Sequence, residues 1–295
     1  PYTEPAVVAS MTLSKILEIY QPGDLRYHFE PELAKKEISN STQAQVKQFY
    51  DQFFVTDHAQ IAVTGDFDAK KMQKTLQKAF GSWKSKQPYE KVTGQYTVYK
   101  AQKVHALSEQ REFGSYQSIL ALPVGSYHQD APALIVLSHI LGNSQLSSRL
   151  AQELREKNAL VYGFGSGLDL DPDVNDGTLS ITANYTSGRS DQVSQSVHKV
   201  LNELLSKGVT EQEVEAAKAD IMKKRVTSLE DERNIHGMLT GQLERHKTLL
   251  DRATRDQALA KLTKADVDAV IKKYIKLDHF VEVMADQYGQ AQNSQ

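Results

Sequence analysis

Thr42-Gln43-Ala44-Gln45-Val46 and Thr263-Lys264-Ala265-Asp266-Val267 align without a gap, at an offset of 221 residues that holds through the sequence following both. Phe53 falls on Tyr274, Asp57-His58 on Asp278-His279, and the apolar Ile61-Ala62-Val63 beside Val281 to Met284. Each copy opens on a Thr placed to cap a helix. Apolar residues then recur at the spacing of one helical face, as Val46, Phe49, Tyr50 and Phe53 in the first copy and Val267, Val270, Ile271 and Tyr274 in the second. A short turn and an apolar strand complete the unit. A helix-turn-strand unit repeated at domain-sized spacing implies duplicated domains. The polar stretch Gln87-Pro88-Tyr89-Glu90-Lys91 marks the boundary between them. Residues 1–93 are therefore expected to be the C-terminal part of a truncated domain, and residues 94–295 a complete one. The first domain would begin on the order of a hundred residues before Pro1 if both copies have one length.

Outward from the second copy, the pattern predicts strands over Tyr96 to Val104 and Tyr116 to Leu122, helices over Ala131 to Leu141 and Leu146 to Lys157, strands over Leu160 to Leu168 and Thr178 to Asn184, and then several helices. Paired strands with helices inserted between them argue for an α+β fold, with mainly antiparallel sheets and helices packed on one face. The helix over Gln192 to Ser206 gathers Val193, Val197, Val200, Leu201 and Leu204 on one side and stops at Gly208. Thr210 with Glu213 is a capping box opening the next helix.

Composition narrows the functions. Of 295 residues, 40% are hydrophobic and 24% charged, enough for real cores and too unbiased for a disordered chain. No apolar run approaches the length of a membrane span. The net charge of −2 supplies no basic field for nucleic acid. There is no Cys, which removes thiol nucleophiles, disulfides and Cys-held zinc. The opening residues show no basic region followed by an apolar run, so no signal peptide is visible.

None of the nine histidines stands in an H-x-x-E-H or H-x-x-H arrangement, so no zinc-ligand pair is expected in this chain. The glycines of Tyr162-Gly163-Phe164-Gly165-Ser166-Gly167 lie inside a strand and open no helix, unlike a dinucleotide-binding loop. The acidic run Asp169 to Gly177 fails as a calcium loop, because Val174 stands where the turn glycine belongs and Ser180 where the bidentate Glu belongs; it reads as a hairpin turn. The informative segment is Leu146 to Leu168. Leu146, Leu150 and Leu154 are expected to form a buried stripe, with Arg149 and Arg155 held just off it. In the strand that follows, Leu160, Tyr162 and Phe164 would share one side, leaving Val161, Gly163, Gly165 and Gly167 on the other, a bare surface suited to close approach of a helix or another chain.

Ser147-Ser148-Arg149-Leu150-Ala151-Gln152-Glu153-Leu154-Arg155-Glu156-Lys157-Asn158-Ala159-Leu160-Val161-Tyr162 resembles the S-R-L-x-x-x-L-R-E-K-x-x-L-x-Y signature of the pitrilysin, insulin-degrading-enzyme and mitochondrial-processing-peptidase family of zinc peptidases. Asp24-Leu25-Arg26-Tyr27, the helix from Val46, a strand ending in Val63-Thr64-Gly65-Asp66-Phe67-Asp68, and Phe80-Gly81-Ser82-Trp83 are similar to the second half of that family.

The resemblance implies duplicated α+β domains in two halves that enclose a peptide chamber. The family's zinc motif is H-x-x-E-H on the first helix of its first domain. On the corresponding helix here, Ile135-Val136-Leu137-Ser138-His139 keeps only the last His, so this half is expected to hold no metal and to be inactive alone. Zinc, its ligands and the base would come from an N-terminal catalytic half, in the same chain or as a separate subunit. In the family, an Arg and a Tyr seven residues apart on the half lacking zinc reach toward substrate, and Arg155 and Tyr162 have that spacing in that motif. The resemblance implies one reading in which this chain is a chamber wall with a peptide clamp, and another in which it is a non-catalytic scaffolding or peptide-binding subunit. A periplasmic location is expected, since large bacterial relatives are commonly exported.

Overall fold

The computed structural model describes residues 3–28, 31–54, 56, 59–84, 89–109 and 112–290. The chain divides into two compact units, one of Pro1–Ile19, Thr93–Lys223 and Arg252–Gln295, the other of Tyr20–Val92 and Lys224–Asp251. In chain order the elements are α1 (Pro5–Leu17), α2 (Pro31–Asn40), α3 (Gln43–Phe53), α4 (Ala69–Phe80), β1 (Gln102–Leu107), β2 (Phe113–Leu122), α5 (Ala131–Ser138), β3 (Val161–Leu170), β4 (Gly177–Thr186), α6 (Ser190–Lys207), α7 (Glu211–Thr227), α8 (Glu232–Glu244), α9 (Leu249–Lys261), α10 (Lys264–Tyr274) and β5 (Val281–Asp286). Two widened, π-helical stretches, His139–Asn143 and Ala151–Lys157, lie between α5 and β3.

The larger unit is α+β. Its five strands run in the order β1-β5-β2-β4-β3, with β1 parallel to β5 and every other pairing antiparallel. On one face, Val193, Val197, Val200, Leu201 and Leu204 of α6 and Val267, Val270, Ile271 and Tyr274 of α10 form one core with Tyr116, Leu120, Ile181 and Met284 of the sheet. On the opposite face, Ala9 and Leu13 of α1 cover Ala106, Val281, Val283 and Ala285. The helix layer is thus joined by one helix behind the β1-β5-β2 end. The expected helix α6 ends at Gly208, whose φ of +70° suits only glycine; a Cβ there would lie 2.3 Å from Asp268 Oδ1. The Thr210–Glu213 capping box is present, with Glu213 N donating to Thr210 Oγ1 at 3.2 Å and Thr210 N to Glu213 Oε2 at 2.7 Å. The acidic run is the β3–β4 turn, closed by Asp171 Oδ1, which accepts from the N–H groups of Asp173 and Val174 at 2.7 and 3.0 Å.

Several expected boundaries shift. The strand expected from Tyr96 begins only at Gln102, because its partner β5 begins at Val281 and Gln102 is the residue paired with it. The helix expected from Leu146 is delayed: residues 144–148 form a turn, and Ser148 Oγ accepts from Ala151 N at 3.3 Å. Leu146 consequently leaves the expected stripe and is 79% exposed, while Leu150 and Leu154 are fully buried.

The two copies of the repeat agree in their helices. Thr42 caps α3 in a box with Gln45, and Thr263 caps α10 in a box with Asp266; each helix is 11 residues long. They differ in what covers them. Val267, Val270, Ile271 and Tyr274 are 0–7% exposed, whereas Val46, Phe49, Tyr50 and Phe53 are 47–65% exposed. The strand expected at Ile61 to Val63 does not form, and no strand occurs among the described residues of the smaller unit. A strand requires a neighbour for its backbone donors and acceptors. β5 has β1 and β2; residues 59–64 have neither. Asp57-His58 of the repeat lies outside the described residues.

Two outcomes follow from this packing. Val270→Asp places an unpaired carboxylate in a closed core and should unfold the larger unit or lower stability by several kcal/mol, about 3 or more. Phe49→Asp should leave the melting temperature of the 295-residue chain nearly unchanged; thermal melts of both variants check the contrast. The second concerns Glu282 and His198. His198 Nε2 lies 2.5 Å from Glu282 Oε1, and that hydrogen bond holds the imidazole above its ordinary pKa of 6.5. Burial pushes Glu282 up, but the bonds from His198, Tyr116 and Ser194 outweigh it and hold the carboxyl below 4.5. The His198 contribution is fully present below about pH 6.5 and lost as pH rises through the raised value. The Glu282 contribution is present above about pH 4.5 and lost as pH falls through the lowered value. His198→Gln should flatten the alkaline limb of stability against pH, measured by urea unfolding across pH 5 to 9.

Candidate substrate-contact site

The segment from Ser144 to Leu168 is fixed at several points, and these decide which polar groups remain available. Arg149 donates through Nε and Nη2 to the two carboxylate oxygens of Glu213 at 2.8 and 2.9 Å, and through Nη2 to the Gly208 carbonyl at 2.8 Å. The same Glu213 closes the α7 capping box, so one guanidinium ties this helix to the end of α6 and the start of α7. Burial raises the Glu213 pKa, and the Arg149 and Thr210 bonds together outweigh that and hold it below the ordinary value. Glu153 makes the second attachment. Its buried carboxylate accepts from Lys199 Nζ of α6 at 2.7 Å and from Asn158 Nδ2 at 3.1 Å. Burial again opposes ionisation, and Lys199 and Asn158 prevail and lower the pKa.

Between these anchors Arg155 is exposed on the last turn, and its side chain makes no hydrogen bond or ion pair among the described residues. The chain reverses immediately after it. Ala159 N donates to the Arg155 carbonyl at 3.2 Å, Leu160 N to that of Leu154 at 2.9 Å, and Ala159 takes φ +47°. The strand β3 then opens with a bulge: Val161 pairs with Tyr185 and Gly163 with Asn184, leaving Tyr162 without a direct partner.

The bulge corrects the expected facing of the strand. Tyr162 and Phe164 do not share a side, for Phe164 is buried in the core whereas Tyr162 is 65% exposed. The Tyr162 hydroxyl lies 3.1 Å from Thr186 Oγ1, and its ring meets Phe113 edge-on, centroids 5.3 Å apart. Arg155 and Tyr162 thus lie at the two ends of one tight reversal, both open to solvent, with no bond joining them among the described residues.

The face bared by the three strand glycines does not meet a helix: a Cβ on Gly163 or Gly165 would make only ordinary contacts with Asn184 and Thr182, and one on Gly167 would lie 2.7 Å from Ser180 Oγ of β4. The close approach is at Gly142, in the widened turn after α5, where a Cβ would lie 2.8 Å from the Ser166 backbone nitrogen and 3.1 Å from the Gly165 carbonyl carbon. Nothing in the spacing of Leu141-Gly142-Asn143 marked that role.

The helix that would carry a zinc motif does not fit the metal. Ile135 is apolar and packs against the core. Ser138 is buried, its carbonyl accepting from Ser166 Oγ at 2.7 Å and its hydroxyl 3.3 Å from the same oxygen. His139 is buried, with Nε2 3.1 Å from Asp220 Oδ2. Among the described residues no group of three His, Cys, Asp or Glu could hold a metal ion. Nor is any described helix long and apolar enough to cross a membrane.

Comparison with known proteins agrees with this arrangement. The profile described as the peptidase M16 inactive domain matches residues 40–221. An uncharacterized zinc protease of Mycobacterium leprae is 30% identical over 198 residues, covering 66% of this chain and 43% of the relative. One from Bacillus subtilis is 28% identical over 211 residues, 69% of this chain and 49% of the relative. The chain therefore spans less than half the length of these relatives. Among solved structures, a peptidase M16 inactive domain from Pseudomonas fluorescens superposes with a TM-score of 0.82 at 23% identity, over 98% of this chain and 67% of that one. The zinc-motif helix with neither the first His nor the Glu, and the match over most of its length, place the chain in the peptidase M16 inactive domain family.

Proposed function

We propose that this chain is the C-terminal, non-zinc-binding half of a pitrilysin-like zinc metalloendopeptidase, forming a wall of its peptide chamber and presenting Arg155 and Tyr162 to the substrate. The observation that carries the reading is the division of labour within one motif. Arg149 is consumed by Glu213 and Gly208 in holding helices together, whereas Arg155 has no partner among the described residues and Tyr162 stands open on a bulge. A guanidinium and a phenol exposed a few residues apart are donors suited to peptide carbonyls. Hydrolysis of a peptide places negative charge on the carbonyl oxygen, where such donors act most strongly.

The proposed partner is an N-terminal catalytic half, in the same polypeptide or as a separate subunit, and zinc belongs to that half. The uncovered apolar face of α3 supports the partnership, because the equivalent face of α10 is closed by α5 and α6. In this proposal residues 1–93 are the remainder of a domain of the same kind as residues 94–295, completed by that half, with α1 packed on the sheet of the larger unit. A periplasmic location is part of the proposal, checked by cell fractionation.

The test uses the chain assembled with a half that carries H-x-x-E-H. Tyr162→Phe and Arg155→Ala should each lower peptide turnover by about a hundredfold to a thousandfold while the melting temperature stays nearly constant. Arg149→Ala should do the reverse, lowering stability by about 1.5 to 3 kcal/mol through loss of its charge-assisted bonds to the half-buried Glu213 carboxylate, with activity per folded molecule retained. Full turnover in Tyr162→Phe and Arg155→Ala would favour the scaffolding reading instead.

A further inference from the structure

The Tyr162 phenol is not simply exposed; it is braced by two side chains from neighbouring strands. Thr186 ends β4 and Phe113 opens β2, and these two residues pair directly in the β2–β4 register. Tyr162, on the bulge at the start of β3, reaches the same corner. The three residues therefore form a row across three adjacent strands, with Phe113 edge-on to the tyrosine ring at 84° and Thr186 Oγ1 3.1 Å from Oη. A tyrosine on a bulge has no cross-strand partner to hold it, and these two contacts supply the ring packing and the hydrogen bond that fix its orientation.

We propose that Thr186 and Phe113 are positioning residues for Tyr162, setting its ring and keeping its oxygen hydrogen-bonded while its phenolic O–H donates a hydrogen bond to a peptide substrate. This rests on the substrate-contact reading of Tyr162. The chemistry turns on the ability of a hydroxyl to reverse roles. In the free protein the Tyr162 O–H is able to donate to Thr186 Oγ1. When a peptide carbonyl arrives and accepts that hydrogen bond instead, Thr186 turns and donates to Oη, so the phenol oxygen loses no bond. No covalent bond is made or broken. Serine preserves this exchange; valine, nearly the same shape, abolishes it. Phe113 acts through packing alone, by limiting the directions the ring adopts on a surface that would otherwise leave it free.

The test has two readouts. In the 295-residue chain, the hydroxyl-bearing ring-carbon resonance of Tyr162, followed by NMR with isotope-labelled tyrosine, should shift in Thr186→Val and return in Thr186→Ser. In the enzyme assembled with its zinc-binding half, Thr186→Val should lower kcat by about tenfold to a hundredfold at constant melting temperature, as expected for a misaligned donor, and Thr186→Ser should restore it. Phe113→Ala should lower kcat in the same direction. An unmoved Tyr162 resonance in Thr186→Val, an unchanged kcat, or a loss confined to the melting temperature would each overturn the positioning role. If Tyr162→Phe is impaired and Thr186→Val is not, positioning fails and the substrate contact stands. If Tyr162→Phe keeps full turnover, the substrate contact itself fails and takes the positioning role with it.

Discussion

The larger unit depends on β5 being closed on both edges and both faces. Its six residues are all buried, it bonds in parallel to β1 and antiparallel to β2, and apolar helices cover both its sides. That position forces a solution for the two carboxylates it carries. Glu282 takes bonds from Tyr116, Ser194 and His198. Asp286, fully buried, takes them from His105 at 2.7 Å, Tyr185 at 3.1 Å and the backbone N–H groups of Gly188 and Tyr288 at 3.3 and 2.9 Å. Burial pushes both phenols to higher pKa, with the neighbouring carboxylates adding to it, so they remain protonated donors at neutral pH. Buried charges are tolerated only when bonded in this way, and removing one partner of such a set typically costs about 3 to 5 kcal/mol. These bonds also tie β5 to β2, to β4 and to α6, three elements that carry or support the corner where Tyr162 sits.

The same helix-turn-strand sequence therefore has two fates. At residues 263–286 it meets two strands and two helix layers and becomes the centre of a sheet. At residues 42–65 the helix forms on the strength of its own capping box, because the cap and the backbone bonds of a helix are local. The strand does not, since every bond a strand makes comes from another segment. The positions matching Glu282 and Asp286 are Ile61 and Gly65, so the first copy carries neither carboxylate of the buried networks.

What was legible in the sequence follows the same division between local and distant causes. The N-caps at Thr42 and Thr263, the capping box at Thr210, the stop at Gly208, the β3–β4 turn and the apolar faces of α6 and α10 depend on residues a few positions apart, and all appear where the spacing put them. The start of β1 was set by β5, nearly two hundred residues away, and was not legible. The role of Gly142 depended on the backbone of Ser166 and Gly165, and its sequence neighbours gave no sign of it. Arg149 and Arg155 are alike in spacing and charge; what distinguishes them is Glu213, 64 residues downstream of Arg149, which engages only the first.

Tyr162 shows why a site is harder to read than a core. Strict alternation put it on the same side of the strand as Phe164, which is buried, and a hydroxyl there would need a buried partner. One unpaired residue in the ladder left it outward and placed Val161, expected on the glycine side, in the core with Phe164. A bulge costs a break in the ladder and a local bend. Here Val161 and Phe164 are buried on either side of it, so the break leaves the core packing of the strand intact. The side chain at the break is the tyrosine of the family signature, and the reversal that precedes it leaves the signature's second arginine exposed, while the first is locked into the fold. Core residues on both sides of the break hold the backbone at Tyr162 in place while its ring stands outside the core.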